Sequence, residues 1–237
     1  MHHAKHIYHH NEHELHGYLA YSEQDEQPKP AVLIAHDWSG QTEFFQQKAQ
    51  IIAELGYVGF AIDMYGLGET ATTNSAKQAL IQPLVQDRLL LRTRIQAAFD
   101  AVCAIPEVNN KKIAILGYCF GGLCALDLAR SGAKLSGAIS VHGLLNPPTD
   151  LPKQTIDAKI LALHGYDDPM VPPEQLTAFC QEMTEAKVDW QVHAFGLIKH
   201  AFTNPHAHDA KLGLMYSAAA AQRSTLLINN FLEELFG

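Results

Sequence analysis

The run Ile113-Ala114-Ile115-Leu116-Gly117-Tyr118-Cys119-Phe120-Gly121-Gly122-Leu123-Cys124 constrains this chain more than any other stretch. It reads as a short buried strand, a cramped turn with glycines on both sides, and the first turn of a helix. Cys119 sits at the apex. In enzymes carrying G-x-S-x-G, this turn is the elbow that pushes a nucleophile out above a parallel sheet. Here the apex residue is a cysteine, whose thiolate form is favoured at a helix N-terminus. A buried structural cysteine is the alternative, but a G-x-C-x-G-G between strand and helix is more specific than a lone thiol.

The rest of the chain alternates in the same manner. Apolar runs of strand length occur at Ala31 to Ala35, Tyr57 to Ile62, Ile113 to Leu116, Gly137 to Val141, Ile160 to Leu163 and Trp190 to Phe195. Several are apolar on both faces, as strands of a helix-covered parallel sheet must be. Helical stretches fall at about Glu43 to Leu55, Gln86 to Ala104, Gly122 to Arg130, Pro173 to Ala186 and Leu214 to Leu235, with Pro83 as a break before the second. The pattern predicts an α/β fold with a mainly parallel central sheet flanked by helices. His6 to Ser22 alternates like a β-hairpin turning near Asn11-Glu12, which adds antiparallel strands at one edge. Residues 66–83 are polar and follow a strand end; they are placed to fold over the site as a minimal lid.

No linker divides the 237 residues, so residues 1–237 are read as a single domain. A formal charge of -8 argues against nucleic acid or anionic membranes as main partners. No apolar run reaches the length of a membrane span, and the N-terminus lacks the apolar core of a secretory signal. Cys103, Cys119, Cys124 and Cys180 show neither a disulfide framework nor a C-x-x-C pair, which suits a reducing cytoplasm. The histidines at positions 2, 3, 6, 9, 10, 13 and 16 are read as hairpin residues and not as a metal site. The expected oligomeric state is a monomer or weak homodimer.

Ligands in such sheets bind beyond the carboxyl ends of the strands. His36-Asp37-Trp38, Asp63-Met64-Tyr65, Cys119, His142, Asp168 and His200 all lie just past an apolar run. An acid after a late strand is where this architecture holds the residue that orients a base. By sequence alone, Asp167 and Asp168 compete for that place. His200 follows the last strand, which gives the chain order nucleophile, acid, histidine. His193, His206 and His208 are read as structural or surface residues. Arg88, Arg92 and Arg94 are read as a solvated helix face.

These motifs together resemble the dienelactone hydrolase (carboxymethylenebutenolidase) family of the α/β-hydrolase superfamily. The resemblance rests on His36-Asp37-Trp38-Ser39-Gly40, Asp63-Met64-Tyr65-Gly66, Gly117 to Gly122, Asp168-Pro169-x-Val171-Pro172 and His200-Ala201-Phe202. It implies a carboxylic ester or lactone hydrolase with a Cys119-His200-Asp168 triad, an acyl-enzyme intermediate and no cofactor or metal. It also implies an oxyanion hole formed by the backbone N–H groups of Phe120 and Trp38.

Two departures stand out. The family often carries glutamate beside the oxyanion loop, where it helps generate the thiolate; this chain has Asp37, which could instead cap the following turn. Bacterial members place a carboxylate-gripping arginine after the histidine, where this chain has Ala201-Phe202-Thr203-Asn204-Pro205. Tyr65, Tyr118 and His142 are candidate pocket residues. For His142, substrate contact competes with a satisfied place at a strand end. A thioesterase or broad carboxylesterase is the nearest alternative activity, and a non-catalytic thiol sensor on the same fold is the rival of another class.

Overall fold

The computed structural model describes residues 1–24 and 27–237. The histidine-rich start forms a hairpin, β1 (His2–His10) and β2 (His13–Tyr21), turning at Asn11 and Glu12. The apolar runs become β3 (Lys29–Ala35), β4 (Val58–Ala61), β5 (Val108–Tyr118), β6 (Gly137–Val141), β7 (Lys159–Gly165) and β8 (Trp190–Phe195). They join the hairpin in one sheet of order β1-β2-β4-β3-β5-β6-β7-β8. Pairing is parallel from β4 to β8 and antiparallel where β2 meets β4.

Helices α1 (Glu43–Glu54), α2 (Asn74–Gln86), α3 (Arg88–Cys103), α4 (Phe120–Arg130), α5 (Pro173–Glu185) and α6 (Ala218–Phe236) connect and cover the strands. Strand β5 shows why both faces are apolar. Its Ile113 and Ile115 pack into a cluster with Leu91 and Ile95 of α3, Leu123 of α4 and Phe179 of α5. The alternate residues Ala114, Leu116 and Tyr118 pack into a second cluster with Phe45 of α1 and Phe231 of α6. Each such buried Leu, Ile or Phe contributes about 1.5–3 kcal/mol. Among the described residues no helix is long and apolar enough to cross a membrane.

Three sequence expectations are corrected. Pro83 does not break the chain but lies inside α2, and its carbonyl accepts the Asp87 N–H at 3.0 Å. The break falls at extended Asp87 (φ −111°, ψ 93°), whose carboxylate also caps α3 through the Leu90 N–H. Second, the final helix starts at Ala218, not Leu214. Leu214–Met215 forms a short strand, β10, paired with β9 (His208–Asp209). Third, Arg88 and Arg94 do not face solvent. Arg88 donates through Nε and Nη2 to Asp127 at 2.7 and 2.6 Å, and Arg94 donates to the Met64 carbonyl at 3.0 Å.

Asp127 is fully buried and ties the middle of α4 to α3, while Arg130 ties the end of α4 to Glu182 of α5 at 2.6 Å. These pairs hold the helix that carries the elbow. Removing one member of a buried pair strands its partner's charge, at a cost of about 3–5 kcal/mol. Asp127→Ala should therefore lose stability on that scale in urea denaturation, with the loss absent if the pair were solvated.

Candidate active site

The elbow forms where β5 ends and α4 begins. Cys119 is the N-cap of α4 with φ 54° and ψ −114°, a backbone conformation that a side chain adopts only under constraint. Its N–H donates to the Val141 carbonyl at 3.0 Å, and its carbonyl accepts the Gly122 N–H at 2.9 Å. The flanking glycines are required by space. A Cβ on Gly117 would lie 1.8 Å from the Gly121 oxygen, and one on Gly121 would lie 2.1 Å from the Ala35 oxygen. Phe120 is the first residue of α4, so its N–H is among those left without an intrahelical acceptor. The positive end of the helix dipole lies beside the thiol.

Asp168 and His200 come from the loops after β7 and β8. Both are buried, and His200 Nδ1 lies 2.7 Å from Asp168 Oδ2. The other carboxylate oxygen of Asp168 accepts the Met170 N–H at 2.8 Å, which fixes its orientation. Asp167 is exposed and uses its N–H on the Ile198 carbonyl, so the structure brings Asp168 and not Asp167 to the histidine. Strand β10 accounts for the rigid placement of His200. The His200 N–H donates to the Gly213 carbonyl at 3.1 Å, and its carbonyl accepts the Met215 N–H at 3.0 Å.

His200 Nε2 is buried, and Cys119 lies close enough to bias its charge. Burial opposes the imidazolium. The neighbouring Cys119 and the hydrogen bond to Asp168 outweigh it and push His200 up to about 10.

These residues open on a cavity of about 510 Å³. Asp37, Trp38, Tyr118, Cys119, Phe120, His142 and His200 line it, so most of the sequence candidates meet at one place. Apolar walls come from Phe44, Phe45, Leu144 and Met170. The far wall is α2, through Lys77, Ile81 and Val85, with the Lys77 ammonium 5.3 Å from the Trp38 ring. The polar segment after β4 thus covers the site in its second half, as a helix. Thr203 and Asn204 line the cavity, in the stretch where bacterial relatives were expected to carry arginine.

Several placements differ from the sequence reading. Tyr65 does not line the cavity; its ring stacks on Phe120 and its hydroxyl donates to the Trp38 carbonyl at 3.0 Å. His206 and His208 are exposed, as surface residues should be, yet they also border the cavity. Asp37 takes the turn-capping role through Oδ1, which accepts the Ser39 N–H at 2.8 Å. His142 has φ 41° and packs its ring 5.2 Å from that of His200, with Nε2 2.8 Å from Thr203 Oγ1. Burial, and then the charge of His200, hold its pKa well below that of a free histidine. Thr203, Lys77 and Ile81 carried no sequence signal, since isolated residues of these types are common on surfaces. Among the described residues no group of three or more His, Cys, Asp or Glu is placed to hold a metal ion.

A mostly parallel sheet with a strained strand-to-helix elbow, and an acid and a histidine on later loops, defines an α/β-hydrolase. Residues 15–236 match the model of the dienelactone hydrolase family, and the chain belongs to that family. A solved dienelactone hydrolase-like promiscuous phosphotriesterase from metagenomic libraries is 35% identical, with a TM-score of 0.93 over 100% of this chain and 99% of that one. An uncharacterized Caenorhabditis elegans protein is 35% identical over 149 residues, 62% of this chain and 94% of that protein. A Yersinia pestis protein provisionally named a carboxymethylenebutenolidase is 28% identical over 216 residues, 84% of this chain and 80% of that protein. The chain is a hydrolase.

The raised pKa of His200 carries a stability consequence. A histidine that holds its proton more tightly when folded contributes stability fully below its unfolded pKa of about 6.5 and loses it as pH rises through the folded value. The stability difference between the wild type and His200→Gln should be constant below that point. It should then shrink toward pH 10, as read by urea denaturation at stepped pH.

Proposed function

We propose that the chain hydrolyses a neutral carboxylic ester or lactone through Cys119. The observation that carries the reading is the buried 2.7 Å contact of Asp168 with His200, which lines the same cavity as the Cys119 elbow. Because His200 is raised to about 10 beside Cys119, the thiol proton rests on His200 before the attack, and the Asp37 oxygen not engaged by Ser39 assists its transfer. The thiolate sulfur attacks the carbonyl carbon, and the N–H groups of Phe120 and Trp38 hold the oxyanion. Collapse of the intermediate breaks the ester C–O bond, and the His200 imidazolium protonates the leaving alcohol. Water, deprotonated by His200, then releases the acid and restores the thiol. Asp168 holds the imidazole tautomer and stabilises its charged form.

Phe44, Phe45, Ile81 and Leu144 favour an apolar acyl or alkoxy group, with Tyr118 and His142 beside the reacting centre. Thr203 and Asn204 give no bidentate partner for a substrate carboxylate, which favours uncharged esters over the dienelactone. The protein works as one domain in the cytoplasm, where its four unpaired cysteines stay reduced. It needs no cofactor, and acts as a monomer or weak homodimer.

A second reading, phosphotriester cleavage by the same thiolate, is favoured by the 35% identity to the metagenomic phosphotriesterase over the whole chain. A panel of lactones, aryl esters, acyl thioesters and dialkyl aryl phosphates separates these activities by their kcat/KM. Cys119→Ala should abolish turnover of an activated aryl ester while leaving the circular dichroism of the wild type. Full activity in that variant would refute the thiol mechanism.

A further inference from the structure

The peptide between Asp37 and Trp38 carries two groups on opposite edges. A trans peptide is planar, so its C=O and N–H point in opposite directions, and no cis bond occurs among the described residues. Fixing the Asp37 carbonyl therefore aims the Trp38 N–H. That carbonyl lies 2.6 Å from Nδ1 of His36, a residue with no solvent exposure. Nε2 of the same ring is 3.1 Å from the Met64 N–H. A carbonyl can only accept and an amide N–H can only donate, so these two partners define the neutral tautomer with the proton on Nδ1.

We infer that His36 is a positioning residue for the oxyanion hole, holding the Asp37–Trp38 peptide so that the Trp38 N–H faces the Cys119 elbow. The inference rests on the thiol hydrolase reading above. Tyr65 pins the next peptide by donating to the Trp38 carbonyl, so both peptide units flanking Trp38 are held from outside the cavity. The same rings also reach the second donor. His36 packs 4.8 Å from Tyr65, and both lie 6.2 Å from Phe120, whose backbone begins α4. A hydrogen bond onto the Asp37 carbonyl polarises the peptide and strengthens its N–H as a donor.

Burial keeps the imidazole pKa below its usual value, against the opposing charges of Asp63 and Asp37, so the ring stays in the neutral form this geometry uses. The other groups packed around it are the rings of Phe45, Tyr65 and Phe120. An imidazolium would turn an N–H toward the Met64 N–H.

The test compares His36→Leu, which fills the space without a donor, with His36→Asn, whose side-chain amide can take the place of Nδ1. Two rates are followed. One is steady-state hydrolysis of p-nitrophenyl acetate. The other is alkylation of Cys119 by iodoacetamide, located by peptide mass spectrometry, a substitution that forms no oxyanion. Deleting one oxyanion donor costs about 10²–10³ in kcat; misaiming one in His36→Leu should cost roughly 10- to 100-fold. KM and the alkylation rate should stay at wild-type values, and His36→Asn should recover most of the lost kcat.

The inference is overturned if folded His36→Leu keeps wild-type kcat, if His36→Asn is as slow as His36→Leu, or if alkylation slows together with hydrolysis. Should His36→Leu fail to fold, His36→Gln decides, since its amide can stand in for Nε2 toward the Met64 N–H but not for Nδ1 toward the Asp37 carbonyl: reduced kcat at constant KM supports the inference, and unchanged kcat overturns it. Hydrolysis that survives in Cys119→Ala marks instead the failure of the thiol reading, and this inference falls with it.

Discussion

Everything in this molecule depends on how closely α4 approaches the sheet. Its first turn is wedged against β5 on one side and the end of β3 on the other, at distances where only backbone hydrogen fits. That approach forces Cys119 into its positive-φ conformation. It also brings the start of α4 beside the loop that follows β3, so the two backbone donors of the proposed oxyanion hole come from segments far apart in the chain. The buried charges of Asp127 and Arg130 serve the same end, since they lock the helix against α3 and α5 and leave it no freedom to retreat. In energetic terms the strain at one residue is held by contacts spread over an entire helix.

Much of this was legible in the sequence. The strands β3 to β8 announced themselves as short apolar runs, because a strand buried on both faces has no use for polar residues. The elbow was legible for the opposite reason, since close backbone contact leaves glycine as the only choice at Gly117 and Gly121. Asp168 and His200 were legible from their places after late strands, although only the resemblance to a family separated Asp168 from Asp167. The solid geometric reason, the turn that buries one and exposes the other, exists only in three dimensions.

What escaped the sequence shares a cause. Arg88 and Arg94 looked solvated because a charged residue is usually outside, and their partners lie 39 and 30 positions away along the chain. Helix α2 was hidden by Pro83 and by a composition with one fully buried residue, Leu84, and hence no apolar stripe. His206 and His208 border the cavity while exposed to solvent, and the two-residue strand pair beside them is too short to leave a pattern. Tyr65, expected in the pocket, works behind it. Periodicity reports how an element meets the core, and it is silent about side chains whose partners belong to other elements.

The shallow seating of α2 has an evolutionary consequence. The helix contributes a single fully buried side chain, Leu84, yet its Lys77, Ile81 and Val85 form one wall of the cavity. Ile81 and Val85 also pack against the core, but substitution of Lys77 alters the charge offered to a substrate without touching it, and so escapes the stability threshold that purges most core changes. The elbow has no such freedom, because its glycines admit no side chain. One wall can drift through sequence space while the opposite wall stands still. Such a site can acquire new substrates without relearning how to fold.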